Sequence, residues 1–528
     1  MDNLEKFIKQ LIKNRLTTRE ELENLKRSFS EQTKTPLFTN TELLKAYHKL
    51  TKNQRIKKDP LIEKLLKTRP MRSLSGIVNI TVLTKPFGCP GKCIFCPLEK
   101  GFPKSYLKGE PAADRAYDLN FDPFWQVLKR LEMLKDQGHP TDKIELRIVG
   151  GSWSFYPKTY RNFFIKKCFE AANQFNNKRK IKSASLEKTL SLNEKAKSRI
   201  VGASVETRPD MITPEELRHL RKLGITMVEI GVQTIFDDIL KLNQTGLTSE
   251  IIALATKRLK DAGFKVLYHL MPNLYGSDLE KDEKMFEIVF NDPRFQPDWL
   301  KIYPVVVLKN SKLFSLWQKG QYIPYSDEEL KNLLIRIKTK LPYWVRVARI
   351  IRDIPAQKIV AGTKLSNLRE IIQREMKERG LVCHCIRCRE VKGEYDPSEK
   401  IYLFKDEYQS ANGKEVFLSL ENKERTKLFS HLRLRMPSFD EKPIFKSLEG
   451  AALLREIKTY GEMVPIDERK IAPQHRGLGK RLVEEAEKIT KNEFKLKKLA
   501  VIAGVGVREY FRKLGYKLKD TYMIKNLD

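Results

Sequence analysis

Apolar and polar positions alternate along this chain in three distinct ways. Over residues 1 to about 75, Leu4, Phe7, Ile8, Leu11 and Ile12 recur at helical spacing with Lys and Arg between them, which predicts helices with basic faces. From Ile77 to Leu308, short apolar runs alternate with amphipathic stretches. The runs are Val78–Leu83, Ile144–Val149, Val201–Val205, Met227–Val232, Lys265–Leu270 and Leu300–Leu308. Strands separated by helices imply right-handed crossovers and a parallel sheet, so six such units predict a partial (β/α)6 barrel of the TIM type. The polar stretch between Asn176 and Arg199 reads as a surface insertion, and Ser366–Arg379 as an amphipathic helix. From Glu415 to Asp528 the pattern changes again: Val416–Leu420, Thr426–Leu434 and Gly450–Tyr460 read as strands, followed by a helix over Lys480–Phe494 and a strand at Leu499–Ile502. The expected architecture is α/β, with four stretches: a basic helical region over 1–75, a barrel over 76–365, a linker over 366–400 and an α+β domain over 401–528.

In such barrels chemistry gathers at the carboxyl ends of the strands. The first strand is followed by Cys89-Pro90-Gly91-Lys92-Cys93-Ile94-Phe95-Cys96. Three thiols at C-x3-C-x2-C on one loop can ligate three irons of a 4Fe–4S cluster, leaving the fourth iron open to a small-molecule chelate. The alternative is a structural zinc knuckle, for which no nearby His or Cys completes the set. The second strand ends in Gly150-Gly151-Ser152, where absent side chains let a ligand approach the backbone. The later strands end in Glu206-Thr207-Arg208-Pro209-Asp210, Gly231-Val232-Gln233-Thr234, Met271-Pro272-Asn273 and Tyr303-Pro304. Each alone is ordinary turn chemistry; all at strand ends, they point to one site.

Two further clusters carry chemistry. Cys383, Cys385 and Cys388 form a zinc half-site or three reduced structural thiols; His384 is a poor fourth ligand, because neighbouring side chains in extended backbone point apart. Gln474-His475-Arg476-Gly477-Leu478-Gly479 precedes a helix, so free N–H groups would face an incoming anion. With the later Gly504-Val505-Gly506 and a helix carrying Arg508, Tyr510 and Phe511, this order fits a GNAT-type acetyl-CoA fold; a loop for another nucleotide is the alternative.

Charge then narrows the partners. The chain carries 101 Lys and Arg against 67 Asp and Glu, a formal +34, which favours a polyanion such as nucleic acid over an acidic or neutral partner. A generally basic proteome is the bland alternative. No segment reaches the roughly 18 apolar residues of a membrane span. The seven Cys fall as two triplets and the single Cys168, which speaks for metal sites in a reducing cytoplasm.

A cluster-bearing barrel followed by a GNAT-type domain resembles the catalytic subunit of Elongator and its single-chain prokaryotic relatives, which are tRNA uridine acetyltransferases. The resemblance rests on Lys67–Gly76, Lys85–Pro97, the stretch with Lys143 and Gly150-Gly151, Glu206–Asp210, His269–Gly276, Lys301–Pro304, Cys388-Arg389-Glu390-Val391, Gln474–Gly479 and Arg508–Tyr516. It implies that Cys89, Cys93 and Cys96 hold the 4Fe–4S cluster and S-adenosylmethionine (SAM), with Gly150, Gly151 and Glu206 on the SAM side. It assigns acetyl-CoA contacts to Lys143, Glu456, Ile457, Lys458, Thr459, Gln474, Gly477, Leu478, Gly479, Lys480, Tyr510 and Phe511, with Lys143 and Tyr510 catalytic. Cys383, Cys385 and Cys388 match a zinc region that varies within the family. Lys64, Lys67, Arg69 and Arg72 are the expected tRNA contacts.

The implied reaction is a radical one. A 5′-deoxyadenosyl radical abstracts hydrogen from the acetyl methyl group, the carbon radical adds at uridine C5, and thioester hydrolysis leaves a 5-carboxymethyl group. The partners are tRNA, acetyl-CoA and an electron donor, with a homodimer allowed and no membrane. Two departures stand out: the cluster Cys keep the general radical SAM spacing, and Phe511 replaces the second of the family's paired tyrosines. Without the family, Lys143 at a strand start reads as a solvated end residue. A protein lysine acetyltransferase with a structural cluster, and a non-catalytic tRNA-binding scaffold, are the rival functions.

Overall fold

The protein is described as a computed structural model, covering residues 3–177, 184–392, 396, 398–461 and 477–527. Four helices open the chain: α1 (Asn3–Asn14), α2 (Arg19–Thr33), α3 (Asn40–Lys52) and α4 (Pro60–Leu66). Capping boxes start α2 and α3: Thr18 and Thr39 each accept from the backbone N–H of the Glu three residues on, and Glu21 and Glu42 reach back. Their apolar stripes meet in a separate core containing Phe7, Leu11, Leu22, Leu43, Tyr47 and Leu65.

The barrel strands are β1 (Val78–Leu83), β2 (Lys143–Val149), β3 (Arg199–Thr207), β4 (Met227–Gln233), β5 (Lys265–Leu270), β6 (Trp299–Ile302) and β8 (Arg346–Arg349), with β7 (Val307–Leu308) and β9 (Ile359–Ala361) forming a separate two-stranded sheet. All neighbours in the order β1-β2-β3-β4-β5-β6-β8 pair parallel, and β1 does not pair with β8, so the sheet is a curled half-barrel. Seven strands stand where six were expected. The seventh, Arg-Val-Ala-Arg, is too short and basic to read as a strand. The expected run Leu300–Leu308 is also broken: strand β6 stops at Ile302 before Pro304, which has no N–H to donate, and β7 turns to pair antiparallel with β9.

The stretch expected as a surface insertion is not purely one. It holds a helix, Leu186–Asn193, whose Thr189, Leu190 and Asn193 are buried. Asn193 donates to Asn173 at 2.7 Å and accepts from the Ile200 backbone at 2.8 Å, so polar residues here are interior structure.

The second sheet comprises β10 (Tyr402–Ser410), β11 (Gly413–Glu421), β12 (Leu428–Met436), β13 (Ala452–Thr459), β14 (Lys498–Val501), β15 (Lys517–Lys519) and β16 (Tyr522–Asn526), in the order β10-β11-β12-β13-β14-β16-β15. β13 pairs parallel with β14 only through Leu454, then continues to Thr459 beside β12. Its far half therefore has an edge that β14 does not cover. One face of the sheet buries Leu482, Val483, Ala486 and Ile489 of the helix Leu478–Asn492. The other face contributes Leu453, Ala500, Ile502 and Tyr522 to the barrel's own core.

That junction also buries charge. Asp298 accepts from Arg455 at 2.5 and 3.0 Å, and Glu415 accepts from Arg455 at 2.9 Å and Arg435 at 3.1 Å. Such pairs survive burial only when fully engaged, so they fix the relative placement of the two sheets. Gly506 packs on the start of β3: a Cβ there would stand 2.6 Å from that of Arg199 and 2.9 Å from the Ile200 carbonyl.

Candidate functional site

The half-barrel encloses a cavity of about 720 Å³. At its upper end lie Cys89, Cys93 and Cys96, on the loop that follows β1. Cys89 Sγ is 3.4 Å from Ser152 Oγ, and the Gly91 carbonyl accepts from Lys104. Burial raises the Cys93 thiol, and burial beside Cys93 pushes Cys96 up to about 12. A positive iron centre would reverse that, since metal coordination deprotonates thiols. The donor set suits a polynuclear centre. Three thiols on one loop, all lining the cavity, are the donor type that iron–sulfur clusters take, while Cys383, Cys385 and Cys388 crowd within 4.8 Å of one another, as ligands of one zinc ion must.

Gly150 and Gly151 both have positive φ, 123° and 81°, which only glycine adopts cheaply. The Gly150 carbonyl already accepts from Thr84 (2.8 Å) and Tyr156 (3.1 Å), so of the two it is Gly151 that lines the cavity.

Deeper in, strand-borne charges meet. Glu206 accepts from Tyr106 Oη at 2.7 Å and from Lys301 Nζ at 2.9 Å. Glu229 pairs with Lys301, and with His269 Nε2 at 3.1 Å. Burial would raise both carboxylates, but Lys301 and His269 outweigh it and hold both low. Burial likewise opposes, and Glu229 with Glu206 overcomes, so that Lys301 is held above its usual range. Glu206 was expected here; Glu229 and Tyr106 were not. For Glu229, a lone acid inside an apolar strand was the available signal; Tyr106, on a loop, offered none.

The lower end is closed by the second sheet. Lys458 Nζ lies 3.7 Å from Glu145 Oε2, and Glu456 accepts from Arg433 Nε at 2.9 Å and Trp299 Nε1 at 3.4 Å. Burial pushes Lys458 down to about 8. Glu456 and Lys458 thus face the barrel, while Ile457 between them faces the opposite side, as strand alternation requires. There a Cβ on Gly479 would stand 3.1 Å from Tyr510 Oη and 3.7 Å from Ile457 Cδ1, so Ile457, Gly479 and Tyr510 converge. Burial, with Glu484 nearby, pushes Tyr510 up to about 12.

Other expected contacts are placed differently. Phe511 is buried in the sheet–helix core, its ring 5.6 Å from that of Tyr516, because consecutive helical side chains diverge by about 100°. Its side chain therefore does not share Tyr510's position. Gly477 (φ 77°) precedes the helix carrying Leu478, Gly479 and Lys480; Lys480 is exposed and pairs with Glu484 at 3.7 Å. Thr459 bonds Ser430 at 2.9 Å. Gln474 lies outside the described residues. Lys143 opens β2 in register with Arg199, the residue against which Gly506 packs, so it sits next to the second sheet's loop. Burial pushes it down to about 8.

Of the basic residues before β1, Arg69 and Arg72 line the cavity and Lys64 is exposed on α4. Lys67, the fourth expected RNA contact, follows the last turn of α4 and is buried, its carbonyl accepting from Arg19 at 2.8 Å, unlike the exposed Lys64. In the Cys383 set, Lys338 Nζ lies 3.2 Å from Cys383 and 3.6 Å from Cys388, and His384 packs on Tyr343 with ring centres 4.6 Å apart. No helix among the described residues is long and apolar enough to cross a membrane.

A parallel half-barrel with three loop Cys, closed by an acetyltransferase-like mixed sheet, defines a radical SAM protein with a GNAT-like appendage. The Radical SAM superfamily matches residues 83–289, and the Radical_SAM C-terminal domain matches 297–378. The tRNA uridine(34) acetyltransferase of Methanocaldococcus jannaschii is 44% identical over 479 residues, 88% of this chain and 87% of that protein. The Dehalococcoides mccartyi tRNA uridine(34) acetyltransferase is 42% identical, covering 87% and 99%. Human Elongator complex protein 3 is 36% identical, covering 88% and 86%. Among solved structures, archaeal Methanocaldococcus infernus Elp3 with residues 1–46 deleted superposes with a TM-score of 0.75 at 40% identity, covering 86% of this chain and all of that one. The chain belongs to the tRNA uridine(34) acetyltransferase and Elongator complex protein 3 family.

Proposed function

We propose that this chain modifies the wobble uridine of tRNA, joining an acetyl-CoA-derived carbon to C5 by SAM-dependent radical chemistry to leave a 5-carboxymethyl group. The observation that carries the reading is one cavity with three Cys at one end and Lys458, from the acetyltransferase-like strand β13, at the other.

Cys89, Cys93 and Cys96 would hold a 4Fe–4S cluster with SAM on its open iron, and when bound these supply the radical that activates an otherwise unreactive methyl group. The protein's own residues then do the positioning. Glu206, kept anionic beside Lys301, can accept from SAM's hydroxyl or ammonium groups, and the backbone at Gly151 can come close to it. On the other sheet, the open edge of β13 offers amide partners for a coenzyme arm, and Gly477 with the helix behind it offers N–H groups to phosphate. Tyr510 keeps its proton at neutral pH and can donate to a thioester oxygen or a leaving thiolate. Lys64, Arg69 and Arg72 would meet the RNA backbone.

Cys383, Cys385 and Cys388 would hold zinc. Three thiolates and a dication sum to one negative charge, which buried Lys338 balances, and His384 is engaged elsewhere.

The test is anaerobic incubation of reconstituted protein with tRNA, SAM, a reductant and carbon-labelled acetyl-CoA, followed by nucleoside mass spectrometry. The expected result is labelled 5-carboxymethyluridine, dependent on every component. Acetylation of protein lysines without SAM cleavage would replace this reading by the rival acetyltransferase.

A further inference from the structure

Four guanidinium groups gather where the half-barrel is open beside β1. Arg69 and Arg72 come from the turn before β1, Arg115 from the helix Pro111–Asp118, and Arg130 from the helix Pro123–Asp136. All four line the large cavity, and Arg115 and Arg130 also line an adjoining one of about 260 Å³. Elsewhere many buried or half-buried arginines meet carboxylates, as at Arg352–Glu110 and Arg433–Glu456, and others, such as Arg221, are spent on backbone carbonyls of the protein itself. Here the contacts of Arg72 and Arg130 are neutral, Arg72 donating to Gln137 Oε1 at 2.6 Å and Arg130 approaching Met133 Sδ at 3.4 Å, while Arg115 feels the single carboxylate of Asp114. Burial, then repulsion from Arg115, Arg72 and Arg69, pushes Arg130 down to about 10; Arg72 is lowered by burial, Arg69 and Arg115. A like-charged group held together in a cleft by three separate elements gains most from an anion that bridges it.

We propose that Arg72, Arg115 and Arg130, with Arg69 at the rim, form a phosphate cradle that grips the nucleic-acid backbone beside the base entering the barrel. The inference rests on the RNA reading above. It goes beyond that reading by extending the contact surface from the segment before β1 onto two barrel helices. Phosphate contacts of this kind fix register and carry no sequence information, so the cradle sets which base stands over the cavity mouth. A coenzyme also carries phosphates, so the experiment has to separate the two sources.

Binding of an anticodon stem-loop RNA to the full chain is measured by fluorescence anisotropy across a salt series. The wild type is compared with Arg115→Gln/Arg130→Gln, with Arg115→Lys/Arg130→Lys and with Arg72→Gln alone; acetyl-CoA affinity and thermal melting are recorded for each. Single-stranded contacts contribute about 0.7 each to the log–log salt slope, so the double Gln variant should lose about 1.4 and Arg72→Gln about 0.7. The double Lys variant should retain most of the slope, and acetyl-CoA affinity should not move. An unchanged slope in folded Gln variants overturns the cradle, and a selective loss of acetyl-CoA affinity reassigns it to the coenzyme. Absence of RNA binding by the wild type would instead defeat the reading on which the proposal stands.

Discussion

The Glu206 carboxylate at the end of β3 and the Lys301 ammonium on β6 meet at 2.9 Å inside the barrel, and the same ammonium also engages Glu229. One cation therefore bridges two carboxylates from neighbouring strands, with His269 as a further partner of Glu229. Lys301→Met would leave both without it, and breaking a buried pair in this way costs about 3–5 kcal/mol. Chemical denaturation of the full chain should show that loss, and adding Glu229→Gln to the Met variant should restore part of it. A Lys301→Met chain as stable as wild type would mean that solvent already screens the pair.

Cys93→Ser should abolish the iron–sulfur absorption and the modified nucleoside while leaving tRNA affinity near normal. Only a thiolate is removed; the arginines that line the same cavity are untouched. Full modification activity in this variant would sink the radical route.

Much of this arrangement was legible in the sequence, for physical reasons. Strands of a covered sheet announce themselves as apolar runs, and candidate chemistry is sought at their carboxyl ends, which is where the Cys89 loop, Gly151 and Glu206 line the cavity. What escaped was what does not look apolar. Strand β10 carries Lys405, Asp406 and Glu407 because it is an edge, and edges are kept charged. Strand β8 begins in Arg346, which pairs with buried Glu390, and ends in Arg349, which pairs with Asp353. Phe511 was grouped with Tyr510 by position in a family motif; the two rings meet edge-on, 5.2 Å between centres, with Phe511 buried in the core and Tyr510 reaching the surface. The cradle of Arg115 and Arg130 draws on elements far apart along the chain, and no local pattern reports such a meeting.

The Cys383 set gives a prediction that separates the two proposed metal centres. Elemental analysis of the reconstituted protein should find about one zinc per chain beside the iron. Cys385→Ser should remove the zinc and lower thermal stability, since Cys383 and Cys385 are built into the barrel's core, but it should leave the iron–sulfur absorption in place. Cys93→Ser should do the reverse. Loss of iron in Cys385→Ser with zinc retained would show that the two sets had been assigned the wrong way round.

Lys143 yields the sharpest test of how the two sheets cooperate. It begins β2 opposite Arg199, whose backbone neighbourhood receives Gly506 just before the helix that carries Tyr510. Burial pushes its ammonium down to about 8, so near neutral pH the group is charged but close to losing its proton. If it meets acetyl-CoA phosphate, binding favours the protonated form and raises that value. Affinity should then be highest below pH 8 and decline as the pH rises through 8 toward 9, because each complex must recover a proton that the free protein has already lost. A charge-assisted contact of about 1.5–3 kcal/mol corresponds to an affinity loss of roughly tenfold or more in Lys143→Ala at pH 7. Lys143→Arg should keep most of the neutral-pH affinity and flatten the pH dependence, since a guanidinium does not titrate in this range. Isothermal titration with acetyl-CoA at pH 7, 8 and 9 reads all three chains, with reductive SAM cleavage as the control that should not change. Identical affinity and identical pH slope in wild type and Lys143→Ala would return this lysine to the plain role of a strand-end residue.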